Sequence, residues 1–206
     1  MNSRVGARPL FGFRLNLTQR LARAIFRVFG WKIKDKLPPL SKYVLIGAPH
    51  TSNWDGIQMI LVIWALPLKL TWVGKDSLFR WPLGWFMRSL GGIPVNRRAK
   101  NNFTQQMIQE FSQREQLYLA IAPEGTRSKT KRWKTGFYYI ALGAGVPIVL
   151  ASLDYENKEV GLEKLLVPTG ELSADFEIIR AFYAPFKGKN PHLQGEITYQ
   201  EVNQQG

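Results

Sequence analysis

Cysteine is absent from the 206 residues of this chain. That excludes disulfides, thiolate metal sites and a thiol nucleophile, and it fits a reducing compartment. Histidine is scarce, with His50 and His192 the only two. No run of about 18 uninterrupted apolar residues occurs, so a membrane-spanning helix is not expected. The nearest approach, IQMILVIWALPLKLTWV from Ile57 to Val73, is broken by Gln58, Pro67 and Lys69, and it reads as a buried helix followed by a strand. No apolar segment precedes a small-residue cleavage site near the start, so no signal peptide is expected. Internal repeats, low-complexity tracts and a clear interdomain linker are missing as well.

What is present is a hydrophobic share of 45%, enough for one packed core. The chain also carries 28 Lys and Arg against 15 Asp and Glu, a net charge of +13. This excess is regional. Residues 1–42 hold ten basic side chains against one acid and residues 97–134 hold nine against three, whereas residues 135–206 hold five against nine. Such an asymmetry points to an anionic partner surface, nucleic acid or lipid. Against nucleic acid, the basic segments are interleaved with apolar residues at helical spacing, and no groove-reading or RNA-binding motif occurs.

The segment FRLNLTQRLARAIFRVFGW, Phe13 to Trp31, repeats apolar residues at steps of three and four through Leu17, Leu21, Ala24 and Val28, with Ile25 widening the stripe. Arg14, Arg20, Arg23 and Arg27 add cations at and beyond its edges. This is the pattern of an interfacial helix that buries apolar side chains among anionic headgroups. It is equally the pattern of a helix packed on a core with a solvated arginine face, and the two are compatible. Residues 1–42 are therefore read as an amphipathic, membrane-associating arm, and residues 43–206 as one domain.

From Tyr43 onward short apolar strands alternate with helices. Strands are predicted at Tyr43–Ala48, Leu70–Val73, Ile93–Val95, Leu117–Ala122 and Pro147–Ser152, with another within Leu165–Gly170. Helices are predicted at Gly56–Leu66, Trp81–Leu90, Asn102–Arg114, Gly136–Ala144 and Ala174–Tyr183. The implied fold class is α/β, a mostly parallel central sheet flanked by helices. Sites in such sheets gather at the carboxyl ends of the strands.

Three loops after predicted strands carry the candidate chemistry. HTSNWDG, His50 to Gly56, places Asp55 five residues after His50. On one continuous helix the two would stand about 140° apart, so a turn must join them, and Ser52-x-x-Asp55 has the form of a helix-start capping box. Two readings stay open: a carboxylate that orients a histidine base, or an aspartate that only caps the helix. APEGTRSKTKRWKTG, Ala122 to Gly136, brings Glu124, Gly125, Thr126 and Arg127 ahead of Lys129, Lys131, Arg132 and Lys134. Arg127 suits bidentate phosphate binding, with Glu124 placed to orient it; a solvated basic loop is the alternative. GGIPVNRR, Gly91 to Arg98, ends in two arginines.

Taken in order, H-T-S-N-W-D, G-G-I-P-V-N-R, P-E-G-T-R-S and V-P-I-V resemble the four blocks of the glycerophospholipid acyltransferase family, whose bacterial type is 1-acylglycerol-3-phosphate acyltransferase. The resemblance implies a membrane-associated O-acyltransferase that moves a fatty acyl group from acyl-ACP or acyl-CoA to the free hydroxyl of a lysophospholipid, 1-acylglycerol-3-phosphate first, with another lipid hydroxyl such as that of lyso-ornithine lipid as the alternative. His50 would be the general base and Asp55 its orienting partner. Arg97, Glu124, Gly125, Thr126 and Arg127 would bind the acceptor, the arginines its phosphate. Pro147 would shape the site. No metal or other cofactor is implied beyond the acyl donor. The place of action would be the cytoplasmic face of the membrane, with the protein peripheral or monotopic. A binding protein for anionic membrane or nucleic acid, without catalysis, is the reading from a different class. Pro49, Thr51 and Ala122 depart from the residues usual beside these motifs. With Asn53 and Trp54, Thr51 is where a distinctive acceptor would be expected to show. Five tryptophans, Trp54, Trp64, Trp72, Trp81 and Trp85, are expected to pack in the core, line an acyl pocket or dip into lipid.

Overall fold

A computed structural model describes residues 8–9, 15–34, 36–95 and 103–199. Among these residues nine strands and six α-helices follow one another as β1 (Arg8–Pro9), α1 (Leu17–Val28), β2 (Lys32–Lys34), β3 (Lys36–Leu37), β4 (Lys42–Ala48), α2 (Trp54–Ala65), β5 (Leu70–Lys75), α3 (Gly84–Ser89), β6 (Gly92–Val95), α4 (Phe103–Gln113), β7 (Leu117–Ile121), α5 (Gly136–Ala144), β8 (Ile148–Asp154), β9 (Glu159–Leu166) and α6 (Leu172–Tyr183). β1 and β3 form a small antiparallel pair. The main sheet has seven strands in the order β2-β9-β8-β4-β7-β5-β6. Its five central and right-hand strands run parallel, β9 turns back against β8, and β2 lies parallel to β9.

The central strand explains the architecture. YVLIGA alternates side chains to opposite faces, and both faces are apolar. Val44 and Ile46 meet Met107 and Phe111 of α4, Phe137 and Ile140 of α5, and Phe176 and Ile179 of α6. Tyr43 and Leu45 face the other way onto Val62 and Leu66 at the end of α2. A strand covered on both sides by helices reads in sequence as one unbroken apolar run.

α1 lies on the same face as α2. Asn16 and Gln19 close its start in a reciprocal capping box. The helix is fastened through Ala22 and Phe26, which pack against Ala65, Leu153 and Val160. The apolar stripe expected from the sequence points elsewhere: Leu17, Leu21, Ile25 and Val28 are exposed, as are Arg20 and Arg27. Lys32–Lys34, within the segment read as the arm, enters the main sheet as β2. Lys34 pairs with Glu159 and Glu163 of β9. β9 itself starts six residues before the strand expected near Leu165 and ends at Leu166. Among the described residues, no helix is long and apolar enough to cross a membrane.

Candidate active site

β4 ends at Ala48 and β7 at Ile121, side by side and pointing the same way, with Ile46 paired to Ile121. The HTSNWDG and APEGTR loops therefore leave the sheet at adjacent points of one edge. Glu124 is the joint between them. Its carboxylate, in a residue 6% exposed, accepts the backbone N–H of His50 at 2.7 Å.

The turn demanded by the His50–Asp55 spacing is present, and the carboxylate that makes it faces the backbone. Asp55 Oδ2 accepts the N–H groups of Thr51 (2.8 Å) and Ser52 (2.9 Å), while Ser52 Oγ accepts Trp54 N–H. These bonds turn the chain into α2, whose N-cap residue Asn53 makes no side-chain cap bond of its own. Asp55 Oδ1 takes a third bond, 2.7 Å from the hydroxyl of Tyr155. No hydrogen bond joins Asp55 to the imidazole; the carboxylate acts on it as a nearby charge.

The His50 ring is 24% exposed, yet its Nδ1 is sealed from solvent without a hydrogen-bond partner. Glu124 Oε2 lies 3.7 Å from that nitrogen, too far for a hydrogen bond. Burial pushes the His50 pKa below its usual 6.5; the Asp55 charge pulls it up, the Arg127 charge down and the Gly47 carbonyl up. Burial also raises the Glu124 pKa to about 8, eased by the bond from His50 N–H and reinforced by the charge of Asp55.

Arg127 is held by Asn53, Nη1 to Oδ1 at 2.7 Å, which sets its exposed guanidinium over the first turn of α2. Gly125 adopts a left-handed φ of 63°, and a Cβ there would sit 3.0 Å from Lys134 Cε, so this turn requires glycine. Thr126 is exposed and its hydroxyl accepts Ser128 N–H. Arg97 lies outside the described residues. The structure therefore brings His50, Asp55, Glu124, Gly125, Thr126 and Arg127 to one edge, with Glu124 turned to His50 and Asn53 serving Arg127.

Two expectations are corrected. Thr51 is buried: its hydroxyl accepts Asn190 N–H at 3.0 Å and its carbonyl accepts Asn190 Nδ2 at 2.8 Å. It fastens the loop to the segment after α6, so it does not face an acceptor. The V-P-I-V block opens β8 at the far end of the sheet, since Val44 pairs with Ile148 and Ala48 with Ser152. Pro147, half-buried just before β8, consequently lies at the opposite end of that strand from the site. In GGIPV, Gly91 has φ 81° and a Cβ on it would stand 2.3 Å from Leu70 O; the glycine lets the strand pass the backbone of β5. Of the five tryptophans, only Trp72 is core, its Nε1 donating to Leu90 O.

Sequence reasoning passed over Tyr155. It lies one residue beyond β8, 100 positions from Asp55, and no motif marks it. Its ring meets Trp31 edge-on at 5.0 Å between centroids. Both loops are also tied by the segment after α6. Trp133 N–H donates to Thr198 O at 2.7 Å, and Thr198 Oγ1 donates to Lys131 O at 2.6 Å.

The Glu124 carboxyl gives a direct prediction. A group whose pKa is raised on folding stabilises the fold most below its unfolded value and loses that contribution as pH rises through the folded value. The thermal midpoint should therefore fall between pH 4.5 and about 8 on account of Glu124. In Glu124→Gln, which keeps an acceptor for His50 N–H, melting curves over this window should lose that component. An unchanged slope would show that Glu124 is ionised when folded.

The sequence matches the acyltransferase family model over residues 30–153. It is 26% identical over 151 residues to 1-acyl-sn-glycerol-3-phosphate acyltransferase of Haemophilus influenzae, covering 68% of this chain and 61% of that protein. It is 30% identical over 165 residues to human lysophosphatidylcholine acyltransferase 2, covering 73% of this chain and 29% of that protein. The chain thus spans about three-fifths of the length of the bacterial relatives it matches. Its fold is similar to the crystal structure of the 1-acyl-sn-glycerophosphate (LPA) acyltransferase PlsC from Thermotoga maritima, with a TM-score of 0.59, 17% identity, and 84% of this chain and 83% of that one covered.

Proposed function

The chain belongs to the acyltransferase family, and from that premise we propose that it transfers a fatty acyl group from acyl-ACP or acyl-CoA to the free hydroxyl of a lysophospholipid, 1-acylglycerol-3-phosphate in the first place, at a membrane surface. The observation that carries the reading is the convergence of a half-buried His50 and the exposed Arg127 on one sheet edge, bridged by Glu124 and Asn53. With Nδ1 sealed, His50 takes the acceptor hydroxyl proton at Nε2 while the oxygen attacks the thioester carbonyl. The C–S bond then breaks, and the imidazolium returns the proton to the leaving thiolate. Asp55 favours the imidazolium as it forms. Arg127, joined by Arg97, holds the acceptor phosphate. The outward stripe of α1, Leu17, Leu21, Ile25 and Val28 beside Arg20 and Arg27, supports residence at an anionic interface.

Purified protein supplied with acyl-CoA or acyl-ACP should acylate lysophosphatidate faster than lyso-ornithine lipid or monoacylglycerol. Arg127→Ala should raise the KM for lysophosphatidate by roughly tenfold or more, the share of a charge-assisted bidentate contact, and leave the KM for monoacylglycerol unchanged. Equal rates on acceptors with and without phosphate would sink the phosphate assignment. No transfer to any of them would sink the enzyme itself.

A further inference from the structure

The connection between β5 and β6 leaves an apolar surface that the reaction does not use. Trp81 is 94% exposed and Trp85 79%. Leu83 lies between them, and Leu78 in the preceding turn is exposed too. Phe79 beneath them is buried against Trp72, ring centroids 5.6 Å apart. The buried side chains thus fix the turn to the sheet, while the tryptophans stand out from it. Lys75, Arg80 and Arg88 are exposed around them, with Asp76 the one acid between Lys75 and Ser89.

We infer that this turn is a second membrane-docking surface, its tryptophans seated at the headgroup level of a bilayer carrying anionic phospholipid. Indole combines a large apolar face with an N–H donor, which suits the boundary between acyl chains and water. The surrounding cations match an anionic surface, and the same charge disfavours a second copy of this chain as the occupant. Position in the fold adds to the case. β5 runs parallel with β4 and β7, so the turn after it leaves the sheet at the same edge as His50. α1 lies over β8 and β9, and in the order β9-β8-β4-β7-β5 a single strand separates His50's strand from β9 on one side and from β5 on the other. Four strand spacings amount to about 20 Å, with the reactive histidine midway. One helix can rock about its own axis on a membrane. Two apolar contacts that far apart fix which edge of the sheet the lipid meets. This inference rests on the membrane part of the proposed function and is independent of the chemistry.

The test is sedimentation with vesicles of phosphatidylethanolamine and phosphatidylglycerol, with phosphatidylcholine vesicles as the neutral comparison. Trp81→Ser/Trp85→Ser should weaken binding to the anionic vesicles by roughly tenfold or more, given the apolar area two indoles remove from water. Trp81→Tyr/Trp85→Tyr should restore most of it. Neither residue packs on the core, so thermal midpoints should match the parent, and acylation of a short-chain acceptor dispersed as monomers should stay within about twofold. Unchanged vesicle binding by the serine variant would overturn the inference. So would a loss seen only in binding to acyl carrier protein, or only in self-association by sedimentation velocity. Absence of transfer to the monomeric acceptor in parent and variant alike would instead count against the proposed reaction, leaving the vesicle result to stand alone.

Discussion

His50→Ala should lower kcat by roughly 10²–10⁴, the range a positioned general base supplies, with little change in the thermal midpoint. The two halves of this expectation come from different atoms of one residue. The backbone N–H of His50 is what Glu124 holds, and alanine keeps it. The ring makes no well-formed hydrogen bond through Nδ1, so its removal breaks none there. The pH profile gives a second check. Because burial holds the His50 pKa below 6.5, the acid limb of kcat/KM should have its midpoint below 6.5, the ordinary value for histidine. The same depression means that stability linked to this ring is present above 6.5 and declines as pH falls below it. A variant as active as the parent, or an acid limb at or above 6.5, would remove His50 from the role of base.

Asp55→Ala should do what His50→Ala does not, and unfold the site as well as silence it. The carboxylate is 1% exposed and accepts three hydrogen bonds, from Thr51 N, Ser52 N and Tyr155 Oη. Deleting it strands the buried N–H of Thr51, the part-buried N–H of Ser52 and the part-buried hydroxyl of Tyr155. At about 1–3 kcal/mol for each unsatisfied group, the loss should reach about 3 kcal/mol, visible in urea or thermal denaturation. Activity should fall by roughly 10²-fold or more, since the field favouring the imidazolium goes with it. Tyr155→Phe separates the two effects. It removes one donor and no packing, so stability should drop by about 1 kcal/mol and the bonds from Thr51 N and Ser52 N should hold. If Asp55→Ala melts with the parent, the three bonds are worth little and the aspartate matters through its charge alone.

The contrast between these residues shows what the sequence carries and what it leaves out. Apolar runs such as YVLIGA and LYLAI are legible because a strand covered on both faces must be apolar throughout, and α5 is found at the bounds its pattern predicts. β2 and β9 are not legible. KIK and EVGLEKLL mix charge into their length, and they become strands because Lys34 meets Glu159 and Glu163 across the pair while β9 folds back along β8. The chemistry-bearing types His50, Glu124 and Arg127 stand out by motif, but their partners do not. Asn53, Tyr155 and Asn190 are ordinary polar residues whose roles arise only when distant segments meet. For α1, the amphipathic stripe is correctly found, yet Ala22 and Phe26, outside that stripe, are what bind it to the core. Periodicity identifies a face and does not say what covers it.

The segment after α6 has a consequence for the order in which the molecule can be made. Asn190 fastens the loop of His50, and Thr198 fastens the loop that carries Arg127. Every described strand of the main sheet is complete by Leu166. A chain emerging from the ribosome can therefore assemble its whole sheet while both reactive loops still lack their ties. The ties come with the stretch from Asn190 to Thr198, after the scaffold and not along with it.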